Sequence, residues 1–404
     1  MMSEMSDIAK QAMMQPQEVM LEVKSKKNNL YIGIPKETSF QENRIALTPL
    51  SISLLVLNGH EVIIESGAGT AANFSDQAYS EQGAQIVYDK KEIYKADIII
   101  KIAPPTEDEI ELMKTGQILF STLQMSTLKP DFLKILIKKK VTALSFEYLR
   151  DEGNILSVVR AMSEIVGTTS VLIAAEYLSN VFDGKGLMLG GITGVPPTEM
   201  VILGAGTVGE YAARTAIALG AEVKVFDSSI YKLRRLQNNI GSRLFTSVIQ
   251  PVVLKKALLN CDVAIGAIRP TNGRSPCIVT EETVSQMKPN SVIIDVSIDQ
   301  GGCFETSEVT NHTDPTFKKY DVIHYCVPNI ASRVARTATY ALTNIFTPIL
   351  LDMGEKGGLK NVIWEKPGVR NAIYLYQGQL TNQHLAERFN IPHKDLDLLI
   401  VSNR

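Results

Sequence analysis

The sequence predicts an α/β protein of two Rossmann-like domains with parallel sheets, the nucleotide-binding domain being inserted into a discontinuous partner domain. Three observations carry this reading. The chain has 404 residues, more than the roughly 250 to 300 at which a single core stops growing. Short β-rich runs alternate with helical stretches in two successive series, as crossover units on parallel sheets require. The loop Gly204-Ala205-Gly206-Thr207-Val208-Gly209 lies between an apolar strand-like run and a helix-favouring stretch, the context in which a G-x-G-x-x-G loop reads as a dinucleotide fingerprint.

In chain order, residues 1–28 carry Glu4, Asp7, Lys10 and Glu18 among methionines. Those charges break up any signal-peptide core, and a flexible tail or a loosely docked helix is expected. The first strand series is residues 30–34, 61–65, 98–100, 118–121 and 141–145. Residues 162–182 then repeat apolar side chains at three and four positions, the helical period. The cluster of glycine and proline at residues 190–197 reads as a loop into a second series, residues 200–203, 222–226, 263–266, 292–295 and 322–325. A further helical stretch covers residues 336–351. The two helical stretches are expected to cross between domains. That gives a substrate domain from residues 29–160 plus 345–404, and a nucleotide domain from residues 161–344.

A hydrophobic content of 45%, a charged content of 21% and a net charge of −2 describe an ordinary globular chain. No basic stripe suggests nucleic acid, and Lys138-Lys139-Lys140 reads as a solvated helix end. No apolar run reaches the 18 or so residues of a membrane span; residues 171–181 are interrupted by Glu176, Ser179 and Asn180. Cys261, Cys277, Cys303 and Cys326 form no CxxC pair, so buried free thiols and a cytoplasmic location are expected. None of the five histidines has catalytic or metal-ligand spacing, and no metal is expected.

Each glycine of the fingerprint has a physical task. Gly204 permits the tight turn, Gly206 lets the pyrophosphate approach the backbone, and Gly209 lets helix and strand pack closely. The helix N-terminus then faces the anion. Asp227 follows the next strand, 18 residues past Gly209, where a carboxylate accepts hydrogen bonds from ribose hydroxyls and repels a 2′-phosphate. NAD is therefore favoured over NADP. Lys232, with Arg234 and Arg235, lies near enough to soften that preference, although Lys232 also reads as a solvated helix residue.

Residues 35–38 (Pro-Lys-Glu-Thr), 42–44 (Glu-Asn-Arg), 116–120, 162–164, 299–305 (Asp-Gln-Gly-Gly-Cys-Phe-Glu) and 340–344 stand in an order and spacing that resembles the alanine dehydrogenases. The likeness runs from about residue 30 to about residue 389 and embraces the superfamily shared with transhydrogenase α subunits. It implies reversible NAD-dependent oxidative deamination of L-alanine to pyruvate and ammonia by a homohexamer. It assigns Arg44 to the substrate carboxylate, whose two oxygens suit a guanidinium fork. Asp299 becomes the carboxylate facing the nicotinamide. Ser163, Ile268, Val296, Ile298, Val327, Asn329 and Ile330 match cofactor-lining positions. Without the resemblance, Arg44 reads as a surface arginine, Asp299 as a strand-end cap and the apolar positions as core.

The chain departs from that pattern twice. A family lysine that binds substrate corresponds to Ala103, and the family's catalytic histidine corresponds to Gln124, which has no titratable proton near neutrality. Lys101 would share a strand face with position 103 and is a candidate replacement, or equally a structural lysine. Glu147 is a candidate acid or base, or simply a strand-end glutamate. Two further functions stay open: an NAD-binding homologue with lost or redirected activity, and a transhydrogenase subunit.

Overall fold

The computed structural model describes residues 28–124, 128–269 and 274–402; the tail expected at residues 1–28 lies, apart from Asn28, outside the described residues. All ten strands read from the sequence are present. β1 (Tyr31–Ile34), β2 (Glu61–Glu65), β3 (Gln85–Val87), β4 (Ile98–Ile100), β5 (Ile118–Ser121) and β6 (Thr142–Ser145) belong to one sheet. They are joined there by the C-terminal β14 (Ile373–Tyr376) and β15 (Gln379–Leu380), in the order β15-β14-β6-β5-β4-β1-β2-β3. The pairs from β6 to β3 are parallel, while β14 and β15 run antiparallel. The second sheet contains β7 (Glu199–Leu203), β8 (Glu222–Phe226), β9 (Phe245–Ser247), β10 (Val263–Gly266), β11 (Val292–Asp295), β12 (Thr316–Lys319) and β13 (Val322–Tyr325). Its order is β12-β13-β11-β10-β7-β8-β9, parallel except at β12.

Central parallel strands are covered on both faces and so read as unbroken apolar runs. Ile98, Ile99 and Ile100 are all buried, as are Met200 to Leu203. β3, β9, β12, β14 and β15 were not legible because each is short and lies at or near a sheet edge, where no long apolar run is needed.

Two helices of 21 residues, Ser157–Tyr177 and Ala335–Glu355, lie between the sheets and pack on each other. Val171, Ile173, Ala174 and Tyr177 of the first enter the core of the second sheet. Leu342, Phe346, Leu350 and Met353 of the second enter the core of the first sheet. By length and composition alone Ser157–Tyr177 would suit a membrane, but its apolar stripe is used in this packing.

In the first sheet the strand order reverses between β1 and β4, and in the second between β7 and β10. Ligands bind in the crevice that opens at the carboxyl ends of strands at such points. Here the two crevices face each other.

Candidate active site

The loop after β7 is shaped by its glycines. Gly204 has φ +110°, and a Cβ there would meet the Ala267 carbonyl oxygen at 2.4 Å. A Cβ on Gly209 would meet the Gly204 carbonyl oxygen at 1.9 Å, so only glycine lets the helix Thr207–Ala218 start this close to the strand. Gly206 is the N-cap of that helix, without a side-chain cap, and faces open space. Backbone N–H groups at a helix start are unsatisfied unless capped or liganded, so this cradle fits a pyrophosphate.

Asp227 is buried at the end of β8. Its Oδ2 accepts from the Ala205 N–H at 2.8 Å and its Oδ1 from the Ser229 N–H at 2.8 Å. It therefore holds the glycine loop as well as standing where a ribose would lie. Lys232 Nζ is 4.0 Å from Asp227 Oδ2, and Arg235 donates to the Ala205 carbonyl at 3.2 Å.

A cavity of about 350 Å³ lies where the two crevices meet, within the range of small-ligand pockets. Its wall brings together Arg44, Glu147, Ser163, Val208, Ile268, Val296, Asp299 and Ile330. Asp299 sits in a helical turn, Ile298–Gln300, just past β11. Its side chain is reachable from the cavity, yet the surrounding protein desolvates the carboxyl and pushes it up to about 6. The turn is held from below by buried Asp295, which accepts from the Ser297 and Cys303 N–H groups and from Ser307 Oγ.

Arg44 donates through Nε to Glu42 Oε1 at 2.7 Å and through Nη2 to Glu42 Oε2 at 2.5 Å, which leaves Nη1 3.5 Å from Met162 Sδ on the cavity wall. Asn329 does not line the cavity. Its Nδ2 donates to Glu42 Oε2 at 3.1 Å, linking the second sheet's loops to the Arg44 pair. Val327 and Ile298 are buried core residues.

For Lys101 the geometry goes against the replacement reading and with the structural one. It is fully buried, its Nζ is 2.7 Å from Glu109 Oε2 and 3.9 Å from Glu37 Oε2, and it does not line the cavity. β4 ends at Ile100, so Lys101 and Ala103 leave the strand and the shared strand face is lost. Ala103 is buried, with its N–H donated to Glu37 Oε2 at 3.2 Å. Gln124 is exposed with φ +48°. Its N–H and that of Leu123 donate to Glu147 Oε2 at 3.3 and 2.9 Å, and Ser145 Oγ donates to the same oxygen at 3.1 Å. Glu147 thus faces the cavity while anchoring the segment that carries Gln124.

The sequence reading missed Arg269, Thr122, Ser297 and Gln300, all on the cavity wall. The signal for Arg269 was its place three residues past the β10 switch-point strand. Of the cysteines, Cys277 is exposed, against the expectation of burial; the other three are buried. A larger, more open groove of about 680 Å³ passes His312 and Arg333. There His312 Nε2 lies 2.9 Å from the Asn329 carbonyl oxygen and Arg333 pairs with Glu176, and none of the glycine-loop residues lines this groove. Among the described residues no cluster of His, Cys, Asp or Glu is arranged to hold a metal.

Residues 33–166 match the N-terminal domain, and residues 170–383 the C-terminal domain, of the alanine dehydrogenase/PNT family. The alanine dehydrogenase of Methanococcus maripaludis is 39% identical over 366 residues, covering 90% of this chain and 98% of that one. The chain belongs to the alanine dehydrogenase family. The alanine dehydrogenase of Bacillus subtilis is 38% identical, covering 88% of this chain and 94% of its own. A solved L-alanine dehydrogenase superposes with a TM-score of 0.83 at 35% identity, covering 89% of this chain and 99% of the other. A transhydrogenase from Sinorhizobium meliloti superposes with a TM-score of 0.74 at 22% identity, a likeness of fold alone. This member of the family is an oxidoreductase with two Rossmann-like domains.

Proposed function

We propose that the protein binds NAD on the Gly204–Gly209 loop and catalyses the reversible oxidative deamination of L-alanine to pyruvate and ammonia. One observation carries the reading: Arg44, Asp299 and Val208 of the glycine-loop helix line one cavity at the switch points of both sheets. NAD supplies the acceptor for the hydride leaving the substrate α-carbon. Ile268, Val296 and Ile330 give the ring an apolar bed, and Ser163 a hydroxyl beside it. Arg44 Nη1 faces the substrate carboxylate. Asp299, ionised above about pH 6, holds the substrate ammonium and takes one of its protons, which frees the nitrogen lone pair to form the imine as the hydride leaves. Once that proton has passed to solvent, Asp299 accepts a proton from the water that attacks the imine carbon and returns it to the nitrogen, so that ammonia departs and the oxo acid remains.

Burial of Lys101 against Glu109, with Ala103 and Gln124 in place of the family lysine and histidine, favours a second reading: a homologue that binds NAD and an amino or oxo acid with redirected or lost turnover. The test is NADH consumption with pyruvate and ammonium. Turnover at the rates of alanine dehydrogenases supports the first reading, and NADH binding without any turnover sinks it. The same family resemblance supports a cytoplasmic homohexamer; light scattering showing a mass other than six chains would refute the hexamer.

A further inference from the structure

The cavity wall carries one more cation than the proposed reaction has used. Arg44 spends two of its three guanidinium nitrogens on Glu42, and Lys101 is buried away from the cavity against Glu109. Arg269 differs from both. It follows β10 by three residues, is exposed to the cavity, and makes no hydrogen bond or ion pair with any described residue. The same wall carries Glu147, whose Oε2 is already occupied by two backbone N–H groups and Ser145 Oγ, and the Arg269 charge acts on the neighbouring Tyr148 hydroxyl. Asp299 stands on the adjoining strand end. An α-oxo acid presents a carboxylate with two oxygens and a neighbouring carbonyl, more acceptor capacity than the single Arg44 nitrogen not held by Glu42, which contacts only the weak acceptor Met162 Sδ, can satisfy.

Resting on the proposed reaction, we propose that Arg269 is the second anion contact of the site: its guanidinium holds the substrate carboxylate together with Arg44 Nη1. Arg269 thereby supplies the positive charge that neither Ala103 nor buried Lys101 brings to the cavity. Because Arg269 lies in the loop that follows β10 of the second sheet and Arg44 in the segment between β1 and the helix Pro49–Leu57, the substrate is gripped from both domains and bridges them.

The experiment measures pyruvate and NADH separately in wild type, R269M and R269K. Pyruvate binding to the protein–NADH complex is read by NADH fluorescence, and the KM for pyruvate and the kcat by NADH consumption with ammonium. Loss of a charge-assisted hydrogen-bonded contact weakens pyruvate by roughly 10- to 100-fold in R269M. The expected result is that loss in Kd and KM, a smaller change in kcat, partial recovery in R269K, and further recovery of R269M by millimolar guanidinium ion. NADH affinity stays within about twofold. Unchanged pyruvate affinity in R269M overturns the proposal, as does a loss of NADH affinity in its place, which would assign Arg269 to the cofactor. If wild type turns nothing over, the reaction reading fails while pyruvate binding still decides the role of Arg269.

Discussion

Burial raises the Asp299 carboxyl to about 6, which sets a pH dependence with a definite sign. The carboxylate form is the one that accepts a proton, so the rate of alanine oxidation should climb as pH rises through about 6 and then level. In D299N that limb should vanish and turnover fall roughly 10²- to 10⁴-fold, with NADH binding retained. A rate profile in D299N still rising at pH 6 would move the base elsewhere. Stability runs the other way. A carboxyl whose folded pKa is raised stabilises the fold below its unfolded value, and that contribution is lost as pH rises through about 6. D299N should therefore melt no lower than wild type at pH 8. Lys101 belongs to the fold: K101M strands Glu109 and Glu37 in the interior and should cost about 3–5 kcal/mol in urea unfolding. Normal stability in K101M with lost pyruvate binding would return Lys101 to the substrate site.

At the scale of elements, the junction of β7 with the helix Thr207–Ala218 has no slack. G209A drives a Cβ into the Gly204 carbonyl, so the helix must withdraw from the strand. NADH affinity should fall at least tenfold, and fluorescence titration would show whether it does. Asp227 joins the loop to β8 by accepting from two backbone donors. An asparagine at 227 has one acceptor oxygen for those two N–H groups, so D227N should weaken NADH roughly tenfold. Titrating NADPH beside it checks whether removing the negative charge relaxes the choice of dinucleotide. The loop and Asp227 were legible because their meaning is carried by consecutive residues and a fixed spacing to the next strand. The hairpin β14–β15 was missed although Gln377-Gly378, both at positive φ, is the kind of pair that turns a two-residue hairpin.

On the scale of the whole molecule, the site exists only because two sheets present their strand ends to one another. Asn329 to Glu42 to Arg44 is one bonded path between them, and the long helices Ser157–Tyr177 and Ala335–Glu355 are another. A ligand that touches both domains should stabilise them together: NADH at 100 times its Kd should add about 2.7 kcal/mol to unfolding. If the melting temperature failed to move at that concentration, NADH would not be bound by the folded protein.

By itself the sequence determined the two α/β domains, their order and the glycine turn between β7 and the helix after it, since hydrophobic runs and glycine spacing are local properties that survive without a partner. It also exposed the departures at Ala103 and Gln124. Only the tertiary structure decided which charges reach the cavity. Lys101 is sequestered by Glu109, eight residues further on in the helix Glu107–Leu112, Arg44 spends two of its three guanidinium nitrogens on Glu42, and Arg269 is left facing the cavity. The physical reason is that the pairing of a charge depends on which strand ends and helices the fold brings within a few ångströms, and no run of neighbouring residues records that.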